Sequence, residues 1–192
     1  MDQPDKWMRV RTLLPVVTGM LLMVSNVQAE SYNLSTTILA GTCTVTSSDS
    51  VLTLPDVLRD DLNSGHFLQL QPLTITTSAC AGGGVTGTSP VLTVTGTTVP
   101  APATVKDYLF NDGGTDSTAL GYGIVVSTLN DTTWNTSNLV KNGGSVTLSG
   151  INTGTLLYVG VGCGDATTCS LQDADHAAGS LSAGITFTFR YQ

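Results

Sequence analysis

The chain has 192 residues and a formal net charge of −7, which excludes the basic surface needed to hold nucleic acid or an anionic membrane. Only 11% of residues are charged, and 31 Thr, 17 Ser and 21 Gly stand against three Lys and one Glu. That mixture cannot dress the wet faces of long amphipathic helices, and it favours the half-buried pleated surface of an all-β protein.

Residues 1–29 differ from all that follows. Lys6, Arg9 and Arg11 form a basic start, Leu13 to Val24 is an apolar run, and Val27-Gln28-Ala29 places small residues where a signal peptidase cuts. The run is about twelve residues, too short for a spanning helix of about 20, so a signal peptide is predicted, with a retained anchor as the alternative. Cleavage after Ala29 leaves a chain beginning at Glu30, in which 12 acids against 4 bases give −8. Residues 30–42 then form an extended arm, with Tyr32, Leu34, Thr36, Ile38 and Ala40 on one face and Asn33, Ser35, Thr37 and Leu39 on the other.

Beyond the arm, one domain over 43–192 is predicted, built of short alternating runs. Val51 to Leu54, Leu73 to Thr76, Val91 to Val94 and Val146 to Leu148 read as strands, and Gly121 to Leu129 and Leu156 to Val161 as more continuously buried ones. Turn residues separate them, as at Gly82-Gly83-Gly84, Pro100-Ala101-Pro102, Asn111 to Gly114 and Asn142-Gly143-Gly144. The one helix-like stretch is a turn around Asp56 to Leu62. Many short strands at this spacing suggest an antiparallel sandwich of the immunoglobulin type. At the end of the chain Ile185, Phe187, Phe189 and Tyr191 line one face of a strand, with Thr186, Thr188 and Arg190 opposite. Such a face needs something to pack against, and an ordinary core strand ending the fold is the alternative reading.

All four cysteines follow the leader, an even number consistent with an oxidising compartment. Cys43 with Cys80 closes a loop of about 37 residues, worth about 3–4 kcal/mol in the chain-entropy model. Cys163 with Cys169 closes a tight one; a metal site combining these two with His176 is the alternative, but its spacing fits no zinc pattern. No metal or other cofactor is expected. There is no Gly-x-Ser-x-Gly elbow, no His-Glu-x-x-His and no phosphate-binding glycine loop, which points away from an enzyme. His66 and His176 read as surface residues, and Asp60, Asp61, Asp173 and Asp175 as solvated acids rather than calcium ligands. Asn130-Asp131-Thr132 and Asn135-Thr136-Ser137 match glycosylation acceptors, which matter only in a eukaryotic secretory pathway.

In order along the chain come Gly41-Thr42-Cys43-Thr44-Val45, Leu52-Thr53-Leu54-Pro55-Asp56-Val57, Leu73-Thr74-Ile75 ahead of Cys80, Tyr108-Leu109-Phe110-Asn111, Ala119 to Val126, Leu156 to Val161 and the closing run Gly179 to Tyr191. This series behind a leader resembles chaperone–usher fimbrial subunits, the pilins of the type 1 fimbrial family, over essentially all of residues 30–192. The resemblance implies an incomplete immunoglobulin-like β-sandwich lacking its last strand, with an N-terminal donor arm. It implies export through the periplasm, where a fimbrial chaperone lends a strand, and then transfer at an outer-membrane usher. Donor-strand exchange with other pilin subunits follows, giving a head-to-tail polymer in a cell-surface fimbrium that contributes to adhesion. The donor residues are then Tyr32, Leu34, Thr36, Ile38 and Ala40, and the strand Ile185, Phe187, Phe189 and Tyr191 edges the groove and pairs with the chaperone. Two features depart from the family pattern. Thr36 stands where many such arms carry glycine, and the Cys163–Cys169 pair is additional, stapling a local loop or stiffening a surface exposed on the fibre. The alternative functions are an adhesin-type subunit that binds a host receptor, and a secreted immunoglobulin-like binding module. Two-domain tip adhesins of this family are longer and begin with a lectin domain, which favours a shaft or adaptor subunit. A β-helical passenger fragment would need a short fixed repeat, which is absent.

Overall fold

Thr, Val, Leu and Ile alternate through most of the chain, and the described residues form seven strands. A computed structural model describes residues 41–62, 65–84, 86–99, 105–113, 116–169 and 176–192. The predicted leader and the donor residues Tyr32, Leu34, Thr36, Ile38 and Ala40 lie outside the described residues. The strands are β1 (Gly41–Ser47), β2 (Phe67–Gly82), β3 (Pro90–Gly96), β4 (Gly123–Ser127), β5 (Ser145–Thr147), β6 (Gly154–Gly162) and β7 (Ile185–Tyr191), with short 3₁₀ turns at Arg59–Asp61 and Lys106–Tyr108. They form a four-stranded sheet in the order β1-β2-β6-β4 and a three-stranded sheet in the order β5-β3-β7. Every pairing is antiparallel.

Period-2 alternation places the core between the sheets. Leu73, Ile75, Val126, Leu157 and Val159 come from the larger sheet and Leu92, Val94 and Val146 from the smaller, closing around Phe110. A second buried layer lies where Phe67 and Val125 meet Val99, Val105, Leu109 and Leu139 from the connecting segments. Strand β4 is therefore buried along most of its length, which explains why its sequence is continuously apolar rather than alternating.

The 16-residue β2 carries two β-bulges, marked by residues in the left-handed region. Gln69 has φ 58° where the register with β6 shifts between Leu68 and Gln71, and Ala79 has φ 48° opposite the shift in β1 between Thr42 and Thr44. At the first, the Leu68 carbonyl lies over Gly160, and a Cβ there would sit 2.7 Å from that oxygen. At the second, the extra residue brings Cys80 beside Cys43; the two are disulfide-bonded, with Cα atoms 4.1 Å apart.

One predicted strand is absent from the sheets. Val51 to Leu54 keeps the alternation, with Leu52 and Leu54 half-buried between exposed neighbours, but belongs to no sheet. The last backbone bond before it is Ser48 N–H to the Thr74 carbonyl, 2.8 Å, after which Pro55 removes a donor and the chain turns at Arg59–Asp61.

Gly160→Ala should destabilise the fold by about 1–3 kcal/mol, because backbone cannot yield to the new methyl as a side chain tip could. Gly83→Ala, where a Cβ meets nothing within 4 Å, should be near neutral; urea midpoints of the two variants test this. Replacing Cys43 and Cys80 together by Ser should cost about 4 kcal/mol, against about 2 for Cys163 with Cys169, from loops of 37 and 6 residues. Denaturation of each double variant under identical conditions reads the difference.

An open groove between the two sheet edges

The smaller sheet ends at β7 and the larger at β1. β7 pairs with β3 from Pro90↔Tyr191 to Gly96↔Ile185, and among the described residues its other edge carries no ladder. Its inward side chains Ile185, Phe187, Phe189 and Tyr191 are only half-buried. On its partner β3, by contrast, Leu92 and Val94 are 0% exposed. The same sheet thus covers one strand fully and leaves its neighbour half bare. Tyr191 closes one end of this face: its ring stands edge-on to Phe189 with centroids 5.3 Å apart. It lies over the backbones of Gly41 and Gly84, where a Cβ would come within 2.7 Å and 2.5 Å of the ring.

Between the two edges runs a groove of about 960 Å³. Its floor is Leu73, Ile124, Val159, Val161 and Tyr122; one wall is Leu52, Leu54 and Val57, and the other Leu181, Ala183, Ile185 and Phe187. Asp49, Asp56, Arg59 and Asp112 stand on its rim. The first wall is the segment that joins no sheet, so both lips carry backbone without ladder bonds among the described residues. Unpaired strand edges above an apolar trough can receive one extended peptide: main-chain bonds supply affinity and alternate side chains fill the floor.

The far end of the groove is built around the second disulfide. Cys163 and Cys169 are bonded, with Cα atoms 5.2 Å apart, and are 1% and 6% exposed. Both sulfurs are therefore interior, while Ala166 and Thr167 in the loop they close are exposed. Within their loop the Asp165 carboxylate accepts bonds from the backbone and hydroxyl groups of Thr167 and Thr168, at 2.7 to 2.9 Å. Partial burial opposes its charge, but these bonds together hold Asp165 below the usual carboxylate range.

His176 is likewise not a surface residue. The bridge between Leu120 and Ala177 draws it inward, where it is 8% exposed and stands edge-on to Tyr122 with ring centroids 5.4 Å apart. Its Nδ1 and the Tyr122 hydroxyl are buried without a hydrogen-bond partner among the described residues. Burial pushes the Tyr122 hydroxyl above its ordinary range, with Arg59 pulling it down and Asp60 up. His66 is exposed at a bridge to Thr133, and Asp60 and Asp61 are exposed in the 3₁₀ turn. Asp173 and Asp175 lie outside the described residues. Among those residues no group of His, Cys, Asp or Glu is placed to hold a metal. Leu62, Tyr122, Leu181 and Ala183 are groove residues that sequence reasoning did not single out; their signal was apolar character beside turn residues, which is too common to stand alone.

The family described as fimbrial protein matches residues 32–192. Among solved structures the chain is similar to the P pilus rod subunit PapA, at 21% identity over 84% of this chain and 99% of that one, with a TM-score of 0.51. It is also similar to a chain from a chaperone–usher pilus structure concerned with rod uncoiling, at 18% identity over 86% and 96%, with a TM-score of 0.48. No curated protein sequence matches it. With its all-β, immunoglobulin-like fold and a family match that runs through nearly the whole chain, this protein belongs to the fimbrial protein family and is a structural subunit of a pilus.

Proposed function

We propose that the groove is the acceptor for the N-terminal arm of a sister subunit, and that the chain polymerises by donor-strand exchange. The carrying observation is β7: an apolar, aromatic face, half-buried, on an edge that has one ladder partner among the described residues. Such an edge aggregates unless something covers it. The arm Tyr32, Leu34, Thr36, Ile38 and Ala40 has the matching alternation. Burying Tyr32, Leu34 and Ile38 is worth about 1.5–3 kcal/mol each, or about 5–9 kcal/mol before any backbone bond. Because each subunit carries both an arm and a groove, addition is head-to-tail and open, giving a filament rather than a closed ring. The leader 1–29 directs export to the periplasm. A fimbrial chaperone covers β7 there until an outer-membrane usher presents the next arm, and the product is a cell-surface fibre.

Deletion of residues 30–40, in a subunit co-expressed with its cognate chaperone, should leave a soluble chaperone–subunit complex unable to enter another subunit's groove. Phe187→Asp, on the inward face of β7, should abolish capture by the chaperone, whereas Thr188→Asp on the outward face should not. Polymer ladders on unheated gels and co-purification with the chaperone read both. Filaments formed by the deletion variant would sink the proposal.

A further inference from the structure

We propose that the Cys163–Cys169 disulfide is a positioning element for the donor strand, setting the shape of the groove at the end farthest from Tyr191. This rests on the donor-strand reading above and adds a role for a bond that the polymerisation scheme does not use. The two sulfurs are packed inside a cluster with Leu62, Ala119, Tyr122 and Val161. Leu54, Val57, Leu68, Ile124 and Leu181 pack against it. Apart from Leu68 and the cysteines themselves, every one of these residues also lines the groove. The disulfide therefore underlies the floor and both walls at that end.

The wall it supports is held by side-chain packing: Leu52 and Leu54 rest on the central core, and Leu54 and Val57 on the disulfide cluster. Residues 50–57 make no backbone–backbone hydrogen bond among the described residues, so Leu54 and Val57 are held by side-chain packing. The disulfide loop also grips the chain that follows this wall. The Cys169 sulfur lies 3.9 Å from the Leu62 carbonyl oxygen, and Gly65 N–H donates to the Gly164 carbonyl at 3.3 Å. A loop of six residues, its turn clamped by Asp165, is a rigid block against which that wall rests. Preorganising an acceptor lowers the ordering cost that binding would otherwise carry.

The antiparallel ladder is the more stable pairing. An arm laid antiparallel to β7 places Tyr32 toward Tyr191, and Ile38 and Ala40 toward Ile185, Ala183 and the disulfide end. The disulfide should then couple to Ile38 and not to Tyr32.

The test uses the subunit–chaperone complex and a fluorescent peptide of residues 30–41, with exchange rate and peptide release both followed. Cys163→Ala/Cys169→Ala should slow uptake and speed release by about fivefold or more each. With an Ile38→Ala peptide the gap between wild type and variant should shrink toward unity, because neighbouring sites couple, while with Tyr32→Ala it should persist. Asp165→Ala, which keeps the disulfide and loosens its turn, should give a smaller change with the same peptide dependence; this variant serves if the double one fails to fold. Equal gaps with all three peptides, coupling at Tyr32 in place of Ile38, or no gap at all would overturn the proposal. Failure of wild type to take up any peptide would instead refute the donor-strand reading.

Discussion

Everything in this molecule turns on one unmet requirement: β7 presents aromatic side chains inward, and among the described residues it has a hydrogen-bonding partner on only one edge. A strand in a sandwich is stabilised by ladder bonds on both sides and by burial of one face. Here β3, β5 and the chain end hold β7 firmly on one side, down to the paired bonds between Ser89 and Gln192 at 2.8 and 3.0 Å. The other side opens on a trough. Two further half-measures follow. The wall Leu52 to Val57 keeps a strand-like alternation but joins no strand among the described residues, and Ile185, Phe187 and Phe189 are packed on the core cluster but not enclosed.

The Cys43–Cys80 bond locks β1 to β2 at a bulge, where the sheet would otherwise twist freely. The left-handed Gln69 and Ala79 mark the bulges of β2, and Gly160 lets the Leu68 carbonyl pass. Such features shape β2 and β6, which supply Leu73, Val159 and Val161 to the floor of the groove. A groove able to collapse would cover β7 with its own wall and lose its capacity for a partner.

Much of this was legible in the residues. The alternation of Ile185, Phe187, Phe189 and Tyr191 identified a face in need of cover, and short Thr- and Val-rich runs located β2, β3, β5 and β6. Three things were not legible, each for a physical reason. Alternation at Val51 to Leu54 reports which side chains face the core, not whether the backbone has a neighbour to bond, so an unpaired wall and a paired strand read alike. A bulge depends on local φ, and neither Gln69 nor Ala79 advertises a left-handed conformation. His176 lies in a polar stretch, and its burial follows from the long-range bridge of Leu120 to Ala177, which no local pattern encodes.

The same distinction governs the two disulfides. Loop length alone ranks Cys43–Cys80 as the larger contribution to stability, since it removes more freedom from the unfolded chain. Position ranks them differently. The Cys43–Cys80 pair is only half-buried between β1 and β2, whereas Cys163–Cys169 is enclosed among residues that line the groove. A bond can matter little to the unfolding equilibrium and still decide which shape of groove a partner meets. On the proposed donor-strand scheme, packing and recognition are the same interaction seen before and after a strand arrives.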